Sequence, residues 1–194
     1  VIDVNDTLLQ KIEKLIGVNG VTFHAIYTTV LGITINRITG GSSCVVGSPV
    51  SQRNIEEVMG MVGCFANTML VDVSANMDES FQDVLRRIST DLADNIADSF
   101  LPYDVLAQRL IPVGSNPRHG PFQVFITSDG GALEQSGIFE GLDYELLECP
   151  PVRAKFDLTL AVSSRDRVIM EYDRAIISKV FAKSFKEHFL QTLS

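Results

Sequence analysis

The sequence predicts an α/β (α+β) fold, a mixed sheet of about six strands covered by helices, in a single lobe spanning 1–194. Three observations carry that expectation. Strand-like runs and helical periodicities are interspersed without strict alternation, which favours a mixed sheet over a doubly wound parallel one. The stretch from about Thr22 to Arg37 is apolar nearly all round (Phe23, Ala25, Ile26, Val30, Leu31, Ile33, Ile35), as expected of a helix buried against a sheet. Hydrophobic residues make up 45% of the chain, enough for a real core.

Taken in order, Asn5 or Asp6 caps a first helix through about Ile16, with Leu8, Leu9, Ile12, Leu15 and Ile16 on one face and Gly17 and Gly20 ending it. The apolar helix from Thr22 follows and stops at Gly40-Gly41, a left-handed cap. Two strands then flank a short helix at 54–60. Ser80 opens a long amphipathic helix to about Ala97, with Asp83 as its capping-box-like partner and Phe81, Val84, Leu85, Ile88, Leu92 and Ile96 at helical spacing. Pro102 sits at the first turn of a short helix through Leu110. A Pro/Gly-rich loop covers 112–121. Strands are expected at Phe122–Ser128 and Tyr144–Cys149, and a hairpin at Lys155–Ser163 and Val168–Tyr172. Ser178 caps a last helix whose inner face reads Val180, Phe181, Phe185, Phe189 and Leu193. No internal repeat or linker divides the chain.

Composition excludes several classes. A net charge of −8 without a basic stripe argues against a nucleic-acid surface. No apolar run of about 18 residues and no signal peptide is present, so neither membrane partner nor export is expected. Val1 rather than Met opens the sequence, which points to a piece of a longer polypeptide. Cys44, Cys64 and Cys149 lie far apart with no ligand spacing, and read as small buried hydrophobes in a reducing compartment. His24, His119 and His188 have no neighbouring nucleophile or metal partner; His119, in the Pro/Gly loop, is the most open of the three. No phosphate-binding loop, dinucleotide fingerprint, nucleophile elbow or metal-ligand cluster occurs.

What remains is Ser42–Val73, where two apolar strands carry Gly47, Ser48, Asn67 and Thr68 in places a core strand fills with Val, Ile or Leu. Gly inside a strand suggests close approach of another backbone or a ligand. Asn67 supplies both a donor and an acceptor for an amide-rich ligand, or else satisfies neighbouring backbone at a bulge with Thr68.

The same stretch resembles the second half of a condensation domain of nonribosomal peptide synthetases. That family commonly reads V-V-G-T-P-V-A-G-R and then I-G-F-F-V-N-T. Here the residues are Val45-Val46-Gly47-Ser48-Pro49-Val50-Ser51-Gln52-Arg53 and Val62-Gly63-Cys64-Phe65-Ala66-Asn67-Thr68. In order along the chain, Thr39-Gly40 ends the helix as the family's T-G does. L-P-F-E resembles Leu101-Pro102-Tyr103-Asp104, R-N-P-L-F-Q-V resembles Arg118 to Val124, and K-F-D-L-T-L is intact at Lys155–Leu160. Departures are Asp98-Ser99-Phe100 in place of H-Q-D, Asp72 where an Arg is usual, and an R-N-P-L that survives mainly as Arg118.

The resemblance implies a chloramphenicol-acetyltransferase-like lobe and a parent domain that joins two carrier-bound thioesters by an amide bond. The family's H-H-x-x-x-D-G motif is absent, since no His-His pair occurs in the 194 residues. It therefore implies the C-terminal lobe alone, with no catalytic residue of its own and no activity in isolation. Gly47, Ser48, Gly63, Asn67 and Thr68 would line the acceptor side of a tunnel. Arg53 would anchor its loop or meet a carboxylate at the tunnel mouth, Arg118 would have a loop role or stand at that mouth, and Asp157 would tie strands or an Arg. No cofactor would be bound directly, because substrates arrive on the phosphopantetheine of carrier proteins. The partners implied are those carriers, the missing N-terminal lobe and an adjacent adenylation domain, in the cytoplasm. The alternatives are a lobe of an epimerisation or starter-type relative, a CoA-dependent acyltransferase (disfavoured because the chain has no Trp), or a non-catalytic docking module using a basic patch such as Arg165, Arg167 and Arg174.

Overall fold

In the computed structural model the described residues are 1–53, 56–76, 78–111, 120–128, 153–163 and 165–194. Helix α1, Asp6–Asn19, starts where the Asn5 side chain accepts the Leu8 N–H at 2.9 Å. It runs through Gly17 and ends at Gly20, whose φ of 66° lets its N–H donate to Ile16 O. One internal glycine costs only about 1 kcal/mol, and burial of Leu8 and Ile12 outweighs it, so the expected stop at Ile16 falls a turn early.

Helix α2, Phe23–Thr39, is the buried helix the sequence predicts. Thr22 caps it by accepting the Ala25 N–H, and Gly40, at φ 71°, closes it. Ala25, Ile26, Tyr27, Val30 and Leu31 are all enclosed. Its buried hydroxyls Thr29 and Thr34 bond back to the Ala25 and Val30 carbonyls at 2.7 Å, so they need no outside partner.

Among the described residues six strands form one sheet: β1 Ile2–Asp3, β2 Val45–Ser51, β3 Ala66–Asp72, β4 Val124–Ser128, β5 Leu158–Val162 and β6 Arg167–Tyr172. Their spatial order is β1-β6-β5-β4-β2-β3. The pairs β2–β4 and β4–β5 are parallel and the others antiparallel, so the sheet is mixed as expected. The number agrees for a different reason. The two-residue β1 is legible only through its pairing with β6, while the expected strand at 144–149 lies outside the described residues.

Helices α4, Phe81–Ala97, and α6, Lys179–Leu193, flank α2 on one face of the sheet, where Val46, Val50, Val71, Ile126 and Leu160 meet them. The short α3, Glu56–Met59, and α5, Tyr103–Leu110, lie in the connections. Ser80 caps α4, accepting the Asp83 N–H and donating to Asp83 Oδ2. At the outer edge Asn95 of α4 donates to the Leu70 carbonyl of β3. The inner face of α6 is Ala182, Phe185, Phe189 and Leu193; Val180 and Phe181, expected there, are 81% and 41% exposed. Val180 lies two residues from Ala182, about 200° round the helix.

On the opposite face Phe122, Phe125 and Phe156 cluster, with centroids 4.7–5.9 Å apart, and Tyr103 sits edge-on to Phe122 at 5.7 Å. Phe122 and Phe156 lie just before β4 and β5, so those strands begin later than expected. A Cβ on Gly47 would fall 2.4–2.8 Å from the Phe122 ring. Gly47→Ala is therefore expected to destabilise the chain by about 1–3 kcal/mol through overpacking. In urea titrations Gly47→Ala combined with Phe122→Leu should recover part of that loss; a Gly47→Ala variant as stable as the parent chain overturns the account.

Candidate functional site

Side chains alternate across a strand, and the β2–β3 register therefore decides which site residues meet. Ser48 faces Met69, Pro49 faces Thr68, and Val50 faces Asn67. Ser48 and Asn67 thus share the helix-covered face with the buried Val46, Val50 and Val71, while Gly47 and Thr68 share the face that carries the aromatic cluster. Gly63 is exposed in the loop between α3 and β3. The five residues expected along one wall occupy three environments.

The space beside Gly47 belongs to the Phe122 ring, so the backbone approach inferred from this glycine is an aromatic side chain. Ser48 is fully enclosed, and its Oγ shares a hydrogen bond with His24 Nε2 at 3.0 Å. His24 stands in the first turn of α2; its Nδ1 is buried without a partner. Burial holds its pKa below the ordinary 6.5.

Asn67 uses its carboxamide on backbone. Nδ2 donates to Ser99 O and to Leu101 O, both at 2.8 Å, and Oδ1 accepts the Tyr103 N–H at 3.0 Å. Ser99 O accepts a second hydrogen bond at 2.7 Å from Gln52 Nε2. Together Gln52 and Asn67 clamp the corner between α4 and α5 to the ends of β2 and β3. That corner holds Phe100 out with 76% of its surface exposed. Gln52 shares this clamp, a part that the sequence reading did not assign to it. Its signal was available, since it stands where the resembled pattern has Gly.

Arg53 anchors its own loop. Nη1 donates to Val58 O and Met61 O at 2.7 and 2.8 Å, Nη2 donates to Gly63 O at 3.3 Å, and the guanidinium lies 4.4 Å over the Phe65 ring. Of the two roles open in the sequence, the structure shows the loop anchor. Asp157 is tied through its backbone, its N–H to Gln123 O and its carbonyl to the Asp173 N–H, which links β4, β5 and β6. Arg118 and His119 lie outside the described residues, as does Cys149. Cys44 is half-buried, its thiol pushed up to about 11 by burial and by the Asp72 carboxylate. Cys64 is exposed, contrary to the expectation of burial, because it belongs to the Arg53-anchored loop and not to a strand. Among the described residues no group of three or more His, Cys, Asp or Glu is placed to hold a metal ion. No single helix among them is long and apolar enough to cross a membrane.

The mixed sheet with helices on one face is a fold shared with solved condensation-domain structures. A four-domain nonribosomal peptide synthetase bound to AMP and glycine superposes with a TM-score of 0.85 at 12% identity, over 98% of this chain and 16% of that one. The condensation domain of the monacolin K polyketide synthase MokA gives 0.78 at 18%, over 98% of this chain and 45% of that one. The chain belongs to the condensation-domain family, whose model matches residues 1–194. Among curated relatives, bacitracin synthase 1 of Bacillus licheniformis is 22% identical over 98% of this chain and 4% of its own length. Phosphinothricin tripeptide synthetase PhsB of Streptomyces viridochromogenes is 29% identical over 91% of this chain and 15% of its own length. The chain thus spans a small part of these synthetases, and less than half of the MokA condensation domain.

The burial of His24 has a pH signature. The unfolded chain takes up a proton at the ordinary 6.5, whereas the folded chain does so only lower. Stability is therefore complete above about 6.5 and falls as pH drops through that value toward the folded pKa. Melting temperatures at about pH 7.5 and 5.5, bracketing the ordinary histidine range, should fall for the parent chain and fall less for His24→Gln; an equal fall in both excludes His24 as the cause.

Proposed function

We propose that the chain is the C-terminal lobe of a condensation domain that forms an amide bond between two carrier-bound thioesters. The observation that carries this reading is the family match over the whole chain, which spans under half of a solved condensation domain and contains no His-His pair. The amine nitrogen of an aminoacyl acceptor attacks the donor's thioester carbonyl. A C–N bond forms, the C–S bond breaks, and the phosphopantetheine thiol leaves with the electron pair while the amine gives up a proton. No residue of this chain is assigned to that proton; the first lobe would supply the group that handles it.

This lobe's share is positioning, which supplies a large part of the rate in reactions between two bound partners. The corner clamped by Gln52 and Asn67, with the Arg53-anchored loop beside it, forms one side of the acceptor passage. Gly47, Ser48, Gly63 and Thr68 set the shape behind that surface: Gly47 seats Phe122, and Ser48 fixes β2 on α2. Asn67 therefore acts by holding the passage in shape more than by touching the acceptor. The partners are the donor and acceptor carriers, the first lobe and an adenylation neighbour.

Supplied with loaded carriers, the chain alone should release no amide product, and the intact two-lobe domain should; product from the chain alone overturns the proposal. In the intact domain Asn67→Ala should lower kcat/KM for the acceptor by about 10- to 100-fold, the size expected when a reacting group is misplaced by an ångström. Unchanged turnover and acceptor affinity would remove Asn67 from the passage.

A further inference from the structure

At the corner between α4 and α5, the clamp holds the residues on both sides of Phe100 and leaves Phe100 out. The Ser99 carbonyl accepts from Gln52 Nε2 at 2.7 Å and from Asn67 Nδ2 at 2.8 Å, and the same Nδ2 donates to the Leu101 carbonyl at 2.8 Å. Ser99 itself is buried. Phe100 is the one residue between these two pinned carbonyls, and no other Phe among the described residues is as exposed. A loop free to move would lay such a ring on apolar surface. Here three hydrogen bonds fix the backbone on either side of it, so the ring is displayed.

Its neighbours continue the apolar character. Ile96 in the last turn of α4, Leu101 at the corner and Val105 in the first turn of α5 are exposed as well. Asp98 and Asp104 bracket the corner, and no Lys or Arg lies between Arg87 and Arg109. The resembled H-Q-D pattern puts Asp where Phe100 stands, so the displayed ring is a departure of this chain. We propose that Phe100 determines specificity in the acceptor passage and favours acceptor thioesters with an apolar side chain. The inference rests on the reading of this corner as one side of that passage. An apolar side chain laid on the ring takes both surfaces out of water. A hydroxyl or carboxylate would be brought against apolar surface without a partner, and a carboxylate would also meet Asp98 and Asp104. A cationic side chain would find the ring and the two carboxylates, but all three are exposed to water, where such contacts are weak. Phe100 selects which acceptor is held and takes no part in the bond-making step.

The test uses the intact two-lobe domain with a donor-loaded carrier and acceptors supplied as leucyl-, seryl- and lysyl-pantetheine thioesters. The leucyl acceptor should be used with a kcat/KM about tenfold above the seryl and lysyl ones, the low end of what one apolar contact discriminates. Phe100→Ala should bring the leucyl-to-seryl ratio to within about twofold of one, and Phe100→Leu, which keeps an apolar side chain, should retain most of it. Equal use of leucyl and seryl acceptors by the parent domain, preference for lysyl, or a ratio unchanged in Phe100→Ala overturns the role of Phe100 alone. An equal loss on both acceptors does the same, since it marks the ring as packing surface for the first lobe. No amide product from the intact domain with any acceptor overturns the proposed reaction and this inference with it.

Discussion

A helix with no polar face must be covered on every side, and α2 imposes that constraint on the whole lobe. The sheet lies beneath it, and α4 and α6 lie on either side. Its close approach depends on Gly32, where an added Cβ would fall 2.3 Å from the Val73 side chain. Some of the polar atoms it carries inward are received, while His24 Nδ1, Thr28 Oγ1 and Asn36 Oδ1 stay unpaired. Thr29 and Thr34 turn back on their own helix, His24 reaches Ser48, and Asn36 holds the Val73 carbonyl. Two of those bonds reach β2 and the residue just past β3, so burying α2 also fixes the register and tilt of the strands that carry the site.

The opposite face is built around a missing side chain. Gly47 leaves space that Phe122 fills, and Phe122 in turn gathers Phe125, Phe156 and Tyr103. Tyr103 opens α5, whose first N–H is held by Asn67 on the other strand. The glycine and the asparagine point to opposite faces of the sheet, yet both brace the α4–α5 corner, one through ring packing and one through hydrogen bonds.

Much of this was legible in the sequence. The caps at Asn5, Ser80 and Ser178 each accept the expected N–H, because capping is local chemistry settled within four residues. The apolar character of α2 identified its burial, and the small and polar residues of β2 and β3 marked the region of the proposed passage. What each of them touches was not legible. That Gly47 seats a ring more than 70 residues further on, and that Asn67 serves a corner 32 to 36 residues away, depends on tertiary pairing that no local pattern encodes. The inner face of α6 was misread at Val180 and Phe181 because apolar residues there outnumber the positions that can face inward. β1 escaped notice because two residues carry no period.

The strand order bears on how the lobe behaves at high concentration. An open sheet has two edges whose free backbone groups invite a neighbouring molecule to add a strand. Among the described residues one edge is β1, paired with β6. The other edge, β3, has its Leu70 carbonyl occupied by Asn95 from α4, and the Asn67 clamp holds the α4–α5 corner against its first residues. Side chains that shape the proposed passage and side chains that guard this edge come from the same strand and the same helix. A substitution made there to alter the proposed passage is thus expected to uncover strand-pairing surface as well.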